Sequence, residues 1–399
     1  MSGFGLEIEI ILGCARTQIE PEQMERVQVL VQGNIDWTNL ILYANNHGVT
    51  QLLYQSMRQI DSIDLPKDIL DYLQYFCHKN ALRNIRLTHE LISLTELFSA
   101  QGIAVVPFKG PVLSALVYRN LSLRHFGDLD LLVHEQDVEQ ACVLLKAQGY
   151  QRGYLTKAQK RDLDFHAGEI VFINKASQTV VDLHWKITPK FFPFEISLKD
   201  WWHRLQSVPL SKTQAYTFCL EDTLLHLCVH AASHLWTRLE WLCDIAGLIR
   251  SHASEIDWRK VLEQAHRVGC DRILLLNCCL IRDLLGISLP TIITQKIDLD
   301  ATLPSLTGVI KSFIVAPPHS AQPFDRMEGL LVFIRMRERP GHQLVHFMYV
   351  MNRSKWAMPS RKDRAVLPLP SAFSFLYWLI RPVRLLQKYR TAQRQFIAQ

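Results

Sequence analysis

The chain has no two cysteines at a spacing that forms a disulfide framework or a metal site. Nine cysteines are spread over 399 residues. Their number is odd, no Cys-x-x-Cys occurs, and most sit inside apolar helical patterns, as Cys142, Cys228 and Cys243 do. This excludes a disulfide scaffold and predicts reduced core thiols in a cytoplasmic protein. Long hydrophobic runs are also missing. Without a stretch of about eighteen uncharged apolar residues, no membrane-spanning helix is expected. The first residues, Met1 to Thr17, carry an apolar patch interrupted by Glu7 and Glu9 and have no basic leader, so no signal peptide is expected. Charge of one sign is scarce as well. The formal net charge is +6, a mild excess weighted toward the C-terminus, and no stripe of Arg and Lys with interleaved aromatics gives a strong nucleic-acid signal. There is no internal repeat and no low-complexity tract.

What remains is ordinary globular composition, 48% hydrophobic and 21% charged. The length suits two or three domains with a core that needs no covalent staples. Residues 1–98 read as a helical region. Asp36 is a plausible N-cap before Trp37, Leu40, Ile41 and Ala44, and Ile69, Leu73, Phe76, Leu87, Leu91, Leu94 and Phe98 recur at three- and four-residue steps. The texture changes at Gly102. Ile103 to Phe108 reads as a short strand, Val112 to Tyr118 as a helix, Phe126 to Val133 as a strand, and Asp137 to Gln148 as a helix closed by Gly149. Ile170 to Ile173 and Thr179 to His184 read as a hairpin. Residues 99–215 therefore form an α/β core. Residues 216–316 are helical again, with Glu221 to Arg250 as one long segment, then Trp258 to Val268 and Arg272 to Leu285. Pro317-Pro318 marks a linker to a basic helical tail, 317–399.

Chemistry concentrates in Arg124-His125-Phe126-Gly127-Asp128-Leu129-Asp130. On a strand, residues two apart share a face and lie roughly 6.6 Å apart along it. Asp128 and Asp130 therefore project together, and two such carboxylates repel unless a cation lies between them. Asp182, in the apolar strand Val180 to Trp185, is a third acid whose burial without a partner is costly. Three acids on short strands suit a phosphoryl-transfer site whose divalent ions clamp the attacking and leaving oxygens.

The set Phe108-Lys109-Gly110, Tyr118, Arg124, Gly127 to Val133, and Asp182-Leu183-His184-Trp185 resembles the DNA polymerase β nucleotidyltransferase superfamily. More narrowly, it resembles a branch of uncharacterised nucleotidyltransferases often found in bacterial polysaccharide loci, and the resemblance spans roughly residues 10 to 390. It implies an α+β fold in which a small mixed sheet of polymerase β type is flanked by N- and C-terminal helical regions. It implies Mg²⁺ or Mn²⁺ on Asp128, Asp130 and Asp182, with Asp182 helping to deprotonate the attacking hydroxyl. The implied partners are an NTP and an unknown acceptor, and the implied reaction is transfer of a nucleoside monophosphate. The superfamily usually has Gly-Ser or Gly-Gly where Lys109-Gly110 stands; the narrower branch shares the Lys-Gly form. Lys109 then meets phosphate as a point charge or is a solvated charge at a strand end. Arg124 is either a phosphate or substrate ligand or a salt bridge that orients the acid loop.

His226, His230 and His234 recur at steps of four and share one helical face. The resemblance favours a helix closing the cleft, with His230, His234 and Arg238 facing substrate; packing and a separate metal are the other readings. Trp241 and Leu242 are expected in the core. In the tail, Phe373, Phe375, Leu376, Trp378 and Leu379 precede Arg381, Arg384, Lys388, Arg390 and Arg394, a pattern open to packing or to peripheral membrane contact. The rival functions are thus a catalytically inactive nucleotide-binding regulatory module and a peripheral membrane adaptor.

Overall fold

The computed structural model describes residues 4–60, 65–153, 168–188, 192, 196–317, 323 and 327–345. The tail pattern from Phe373 to Arg394 and Pro318 of the expected linker lie outside them. The chain divides into two compact units, Met1–Glu338 and Arg339–Gln399, and the stretches 1–98, 99–215 and 216–316 all fall inside the first.

Five helices open the chain: α1 (Leu6–Cys14), α2 (Pro21–Val31), α3 (Trp37–Asn46), α4 (Thr50–Arg58) and α5 (Lys67–Ala100). Asp36 caps α3 by accepting from the Asn39 amide at 3.0 Å, which satisfies a donor that the helix leaves open. The core follows as β1 (Val105–Pro107), α6 (Gly110–Leu113), a π turn at Ser114–Tyr118, β2 (Asp128–Val133), α7 (Val138–Ala147), β3 (Gln151–Arg152), β4 (Glu169–Asn174) and β5 (Thr179–His184). Then come α8 (Leu198–Trp202) and the hairpin β6 (Gln206–Leu210) and β7 (Thr213–Thr217). The rest is helical: α9 (Leu220–Ser233), α10 (Leu239–Ser251), α11 (Trp258–Val268), α12 (Asp271–Leu285), α13 (Thr291–Leu299), α14 (Leu303–Ile314) and α15 (Met327–Arg335).

The fold is thus α+β with a mixed five-stranded sheet in the order β1-β2-β5-β4-β3. β4 and β5 pair antiparallel as the expected hairpin, with Asn174 Oδ1 accepting from the Ala176 and Ser177 amides to shape its turn. β2 and β5 pair parallel, with Asp130 opposite Asp182 and Leu131 opposite Leu183. Opposed residues share a face. Leu129, Leu131, Val181 and Leu183 are fully buried against Leu91, Leu94 and Phe98 of α5 and Val138, Ala141 and Leu145 of α7. That register forces Asp128, Asp130, Asp182 and His184 together onto the other face, because a slip of one residue would move the entire apolar set into the polar layer.

Glu221 to Arg250 is not one helix. It breaks between α9 and α10, where Leu235 and Trp236 adopt left-handed φ values of 50° and 51°. A turn of this kind costs on the order of 1–3 kcal/mol per non-glycine residue. It is offset by full burial of Trp236, whose indole donates to Asn277 Oδ1 at 2.8 Å. The three-residue apolar rhythm runs unbroken through the reversal, so periodicity alone could not reveal it. Likewise the helix expected at Val112–Tyr118 is a single α turn followed by the π turn.

Candidate active site

The carboxylate cluster stands on adjacent strands rather than on loops. Asp130 is buried and has two partners at Oδ1: the Lys109 ammonium at 2.7 Å and His184 Nε2 at 3.2 Å. Burial alone would raise its pKa, but Lys109 and His184 outweigh burial and hold it well below the usual carboxylate range. Asp182 lacks such help. Its Oδ1 is buried and has no hydrogen-bond partner, and burial, reinforced by the Asp130 charge, pushes its pKa up to about 7. Burial and Asp130 likewise raise Asp128, which is half-buried. Lys109 is held above the ordinary lysine value: burial opposes its charge, and Asp130, Asp128 and Asp182 together win. His184 is raised in the same way, with burial opposing and Asp130 prevailing.

Donor atoms of Asp130, Asp182 and His184 all lie within 4.8 Å of one another. The ligand set read from the sequence is Asp128, Asp130 and Asp182; two of these converge with His184, and Asp128 stands two residues along β2 from Asp130. Asp130 faces Asp182 across the strand pair, while Asp128 lies opposite Val180 and His184 opposite Leu132. His184 was legible as the residue two places after Asp182 on one strand face, but a lone histidine carries no metal signal by itself. Whether a divalent ion fits is answered by the donors: two carboxylates, one with an orphaned buried oxygen, are hard ligands suited to such an ion. The imidazole can join them or hydrogen-bond Asp130 from behind, as ligand-orienting partners do.

Gly110 turns the chain between Lys109 and α6. Its φ of +53° is left-handed, and an added Cβ would stand 3.4 Å from the Asp128 carbonyl oxygen, so the turn lies against the first residue of β2.

Arg124 does not reach outward. Its Nε and Nη2 donate to both Asp244 oxygens at 2.8–3.1 Å, and Tyr118 donates to the same carboxylate at 2.8 Å. Of the two roles open to it, the structure shows the salt bridge, a buried fork that ties the loop before β2 to α10. On the α5 side, the amides of Asn80 and Asn84 donate to carbonyls of Leu121, Ser122 and Arg124. The approach to the carboxylates is therefore clamped from two directions. Asp244, Asn80 and Asn84 carried no sequence signal for this, since their partners are 37 to 126 positions away.

The histidine face of α9 borders the same layer. The Phe108 ring packs edge-on against both His184, centroids 5.2 Å apart, and His226, 5.1 Å apart. His226 is buried with both ring nitrogens unpartnered. Burial, then the Lys109 charge, lowers its pKa to about 3; burial and Lys109 also hold His230 well below normal and bring His234 to about 4. All three imidazoles are neutral near pH 7. Trp241 is half-buried, not core; it packs against the His230 and His234 rings at 5.6 and 4.8 Å. Arg238 stands 3.1 Å from Glu240 and is 38% exposed.

Residues 33–286 match a protein family described as an uncharacterised nucleotidyltransferase. The chain belongs to that family. The match begins before α3 and ends at the close of α12, so it takes in the sheet, the carboxylates and the histidine helix of this nucleotidyltransferase. A search of curated proteins finds no match. Among the described residues, no helix is long and apolar enough to cross a membrane.

Proposed function

We propose that this nucleotidyltransferase transfers a nucleoside monophosphate from an NTP to an acceptor hydroxyl, on a sheet of polymerase β type, with Mg²⁺ or Mn²⁺ as cofactor. The single observation that carries the reading is the register that puts Asp130 opposite Asp182 with His184 beside them, one Asp182 oxygen buried without a partner. Asp128, Asp130 and Asp182 would hold the ion, with His184 ligating it or orienting Asp130. A bound divalent cation supplies charge neutralisation at the reacting phosphate and the departing pyrophosphate.

The chain's own residues do the rest. The acceptor oxygen bonds to the α-phosphorus while the α–β phosphoanhydride P–O bond breaks, and pyrophosphate leaves with that electron pair. Asp182 Oδ1, buried without a hydrogen-bond partner, takes the hydroxyl proton. Lys109 and the Gly110 turn position the phosphates, and Arg124 acts through the Asp244 fork by fixing the loop that leads to Asp128. His230, His234 and Arg238 line the substrate side of α9 and α10, where neutral imidazoles and the Trp241 ring offer flat, uncharged surface. Most of the rate then comes from alignment and charge compensation.

One observation favours the alternative of a nucleotide-binding module without turnover. Lys109 already neutralises Asp130 at 2.7 Å, the place a metal would otherwise take. The two are separated by calorimetric titration with each common NTP in Mg²⁺ or Mn²⁺, followed by assay for pyrophosphate release. Metal-dependent binding lost in Asp128→Asn/Asp130→Asn, together with pyrophosphate release, supports the transferase. Binding without release under any acceptor favours the module. Absence of metal-dependent NTP binding by well-folded wild type overturns both. A polysaccharide-related acceptor and membrane contact through the tail are extensions of the reading that rest on the resemblance and the tail pattern alone.

A further inference from the structure

A cavity of about 880 Å³ opens between α4, α5 and the loop at Asn120–Leu123. Its lining includes Gln51, Tyr54, Arg58, Gln74, Tyr75 and Ser122. Gln51 is 2% exposed, yet neither its amide nitrogen nor its carbonyl oxygen has a hydrogen-bond partner. An amide buried with both ends unmet costs on the order of 1–3 kcal/mol for each unsatisfied group, and nearly all buried polar groups in folded proteins are satisfied. The deficit is local, at a residue of the wall of a cavity large enough for a small molecule.

We propose that this cavity is a binding site, separate from the carboxylate cluster, for a polyhydroxylated small molecule of sugar type. The argument is chemical complementarity. A hydroxyl both donates and accepts, and so does a carboxamide; Gln51, Gln55, Gln59, Gln74 and Asn120 bring amides to this one cavity. The Tyr54 and Tyr75 rings supply flat apolar surface for the C–H face of a pyranose, in the way aromatic side chains pair an apolar face with a polar tip. Among the described residues, no carboxylate lines it. Arg58, whose guanidinium lies 5.7 Å from the Tyr54 ring centroid, adds one cation at the rim and favours a sugar bearing a single acidic group. The site does not depend on the transferase reading. It does share a wall with the loop that Asn80 and Asn84 anchor and that continues through Arg124 to Asp128, so an occupant would stiffen the approach to the carboxylates.

The test is ligand-observed saturation-transfer NMR on the full chain with a panel of glucose, N-acetylglucosamine, glucuronic acid and glycerol. Three variants accompany wild type: Gln51→Leu, which removes the orphaned amide at similar volume; Ala81→Trp, which fills the cavity from α5; and Asp130→Asn, which alters only the carboxylate cluster. The expected result is transfer to at least one pyranose, strongest for glucuronic acid. It should fall at least tenfold in affinity in Gln51→Leu and Ala81→Trp and be unchanged in Asp130→Asn. Gln51→Leu should also melt higher than wild type without ligand, an outcome that a structural role for Gln51 would reverse. Absence of transfer to every panel member by cooperatively folded wild type overturns the proposal. So does transfer that survives in both cavity variants, or transfer lost in Asp130→Asn, which would place the sugar at the carboxylates.

Discussion

Replacing Asp182 by Asn should make the metal-free protein more stable above neutral pH while abolishing its response to metal. The sign follows from proton linkage. The folded-state pKa of Asp182 is raised to about 7 from an ordinary 3.8, first by burial and then by Asp130. The folded protein therefore binds that proton more tightly than the unfolded chain does. Its favourable contribution is fully present below about pH 4 and is lost as pH rises through 7. Above that, the gap between about 7 and 3.8 corresponds to roughly 4 kcal/mol of destabilisation, at 1.36 kcal/mol per tenfold change in proton affinity. Asn has the same shape, carries no charge, and can donate toward Asp130. Urea denaturation in chelator should then show Asp182→Asn more stable than wild type by about 1–4 kcal/mol near pH 8, with the difference closing near pH 4. Added Mg²⁺ or Mn²⁺ should stabilise wild type, by about 2.7 kcal/mol at a hundredfold excess over Kd, and leave the variant unmoved. A variant less stable than wild type near pH 8 in chelator, or a gain that does not change with pH, would refute the claim that the site holds uncompensated charge awaiting a cation.

Three further outcomes are expected. His184→Gln, with Asp130 losing its imidazole partner, should weaken metal affinity about 10–100-fold, whether His184 ligates or orients; an unchanged calorimetric Kd would remove it from the site. Arg124→Met should cost about 3–5 kcal/mol in chemical denaturation because it strands the Asp244 carboxylate in the interior, and Arg124→Met/Asp244→Leu should recover much of that stability without recovering nucleotide binding. Recovery of both would mean that the fork does not position the loop. Gly110→Ala should lower stability by roughly 1–2 kcal/mol, the cost of a left-handed φ for a residue with a Cβ, and should weaken NTP binding by more than that; a neutral effect on binding would separate the turn from the phosphates.

The sequence by itself determined four of the five strands of the main sheet and which acids stand on them; β3, two exposed residues at Gln151–Arg152, carried no pattern. Alternation in Asp128-Leu129-Asp130-Leu131 and in Val181-Asp182-Leu183 stated which side chains go to the core and which stay polar, because a strand has only two faces. The Asp36 cap and the β4–β5 hairpin were legible for the same reason: their partners lie within a few residues. The β6–β7 hairpin was not, since Gln206–Leu210 and Thr213–Thr217 are short, half-polar and carry a proline. Tertiary structure alone decided the parallel pairing that sets Asp130 against Asp182, the recruitment of His184, the spending of Arg124 on Asp244, and the reversal at Leu235-Trp236. Each of these joins residues far apart in the chain, and each is settled by burial. Leu131, Leu183 and Trp236 go to the interior, and the charged groups nearby are left to find whichever partners that packing brings within reach.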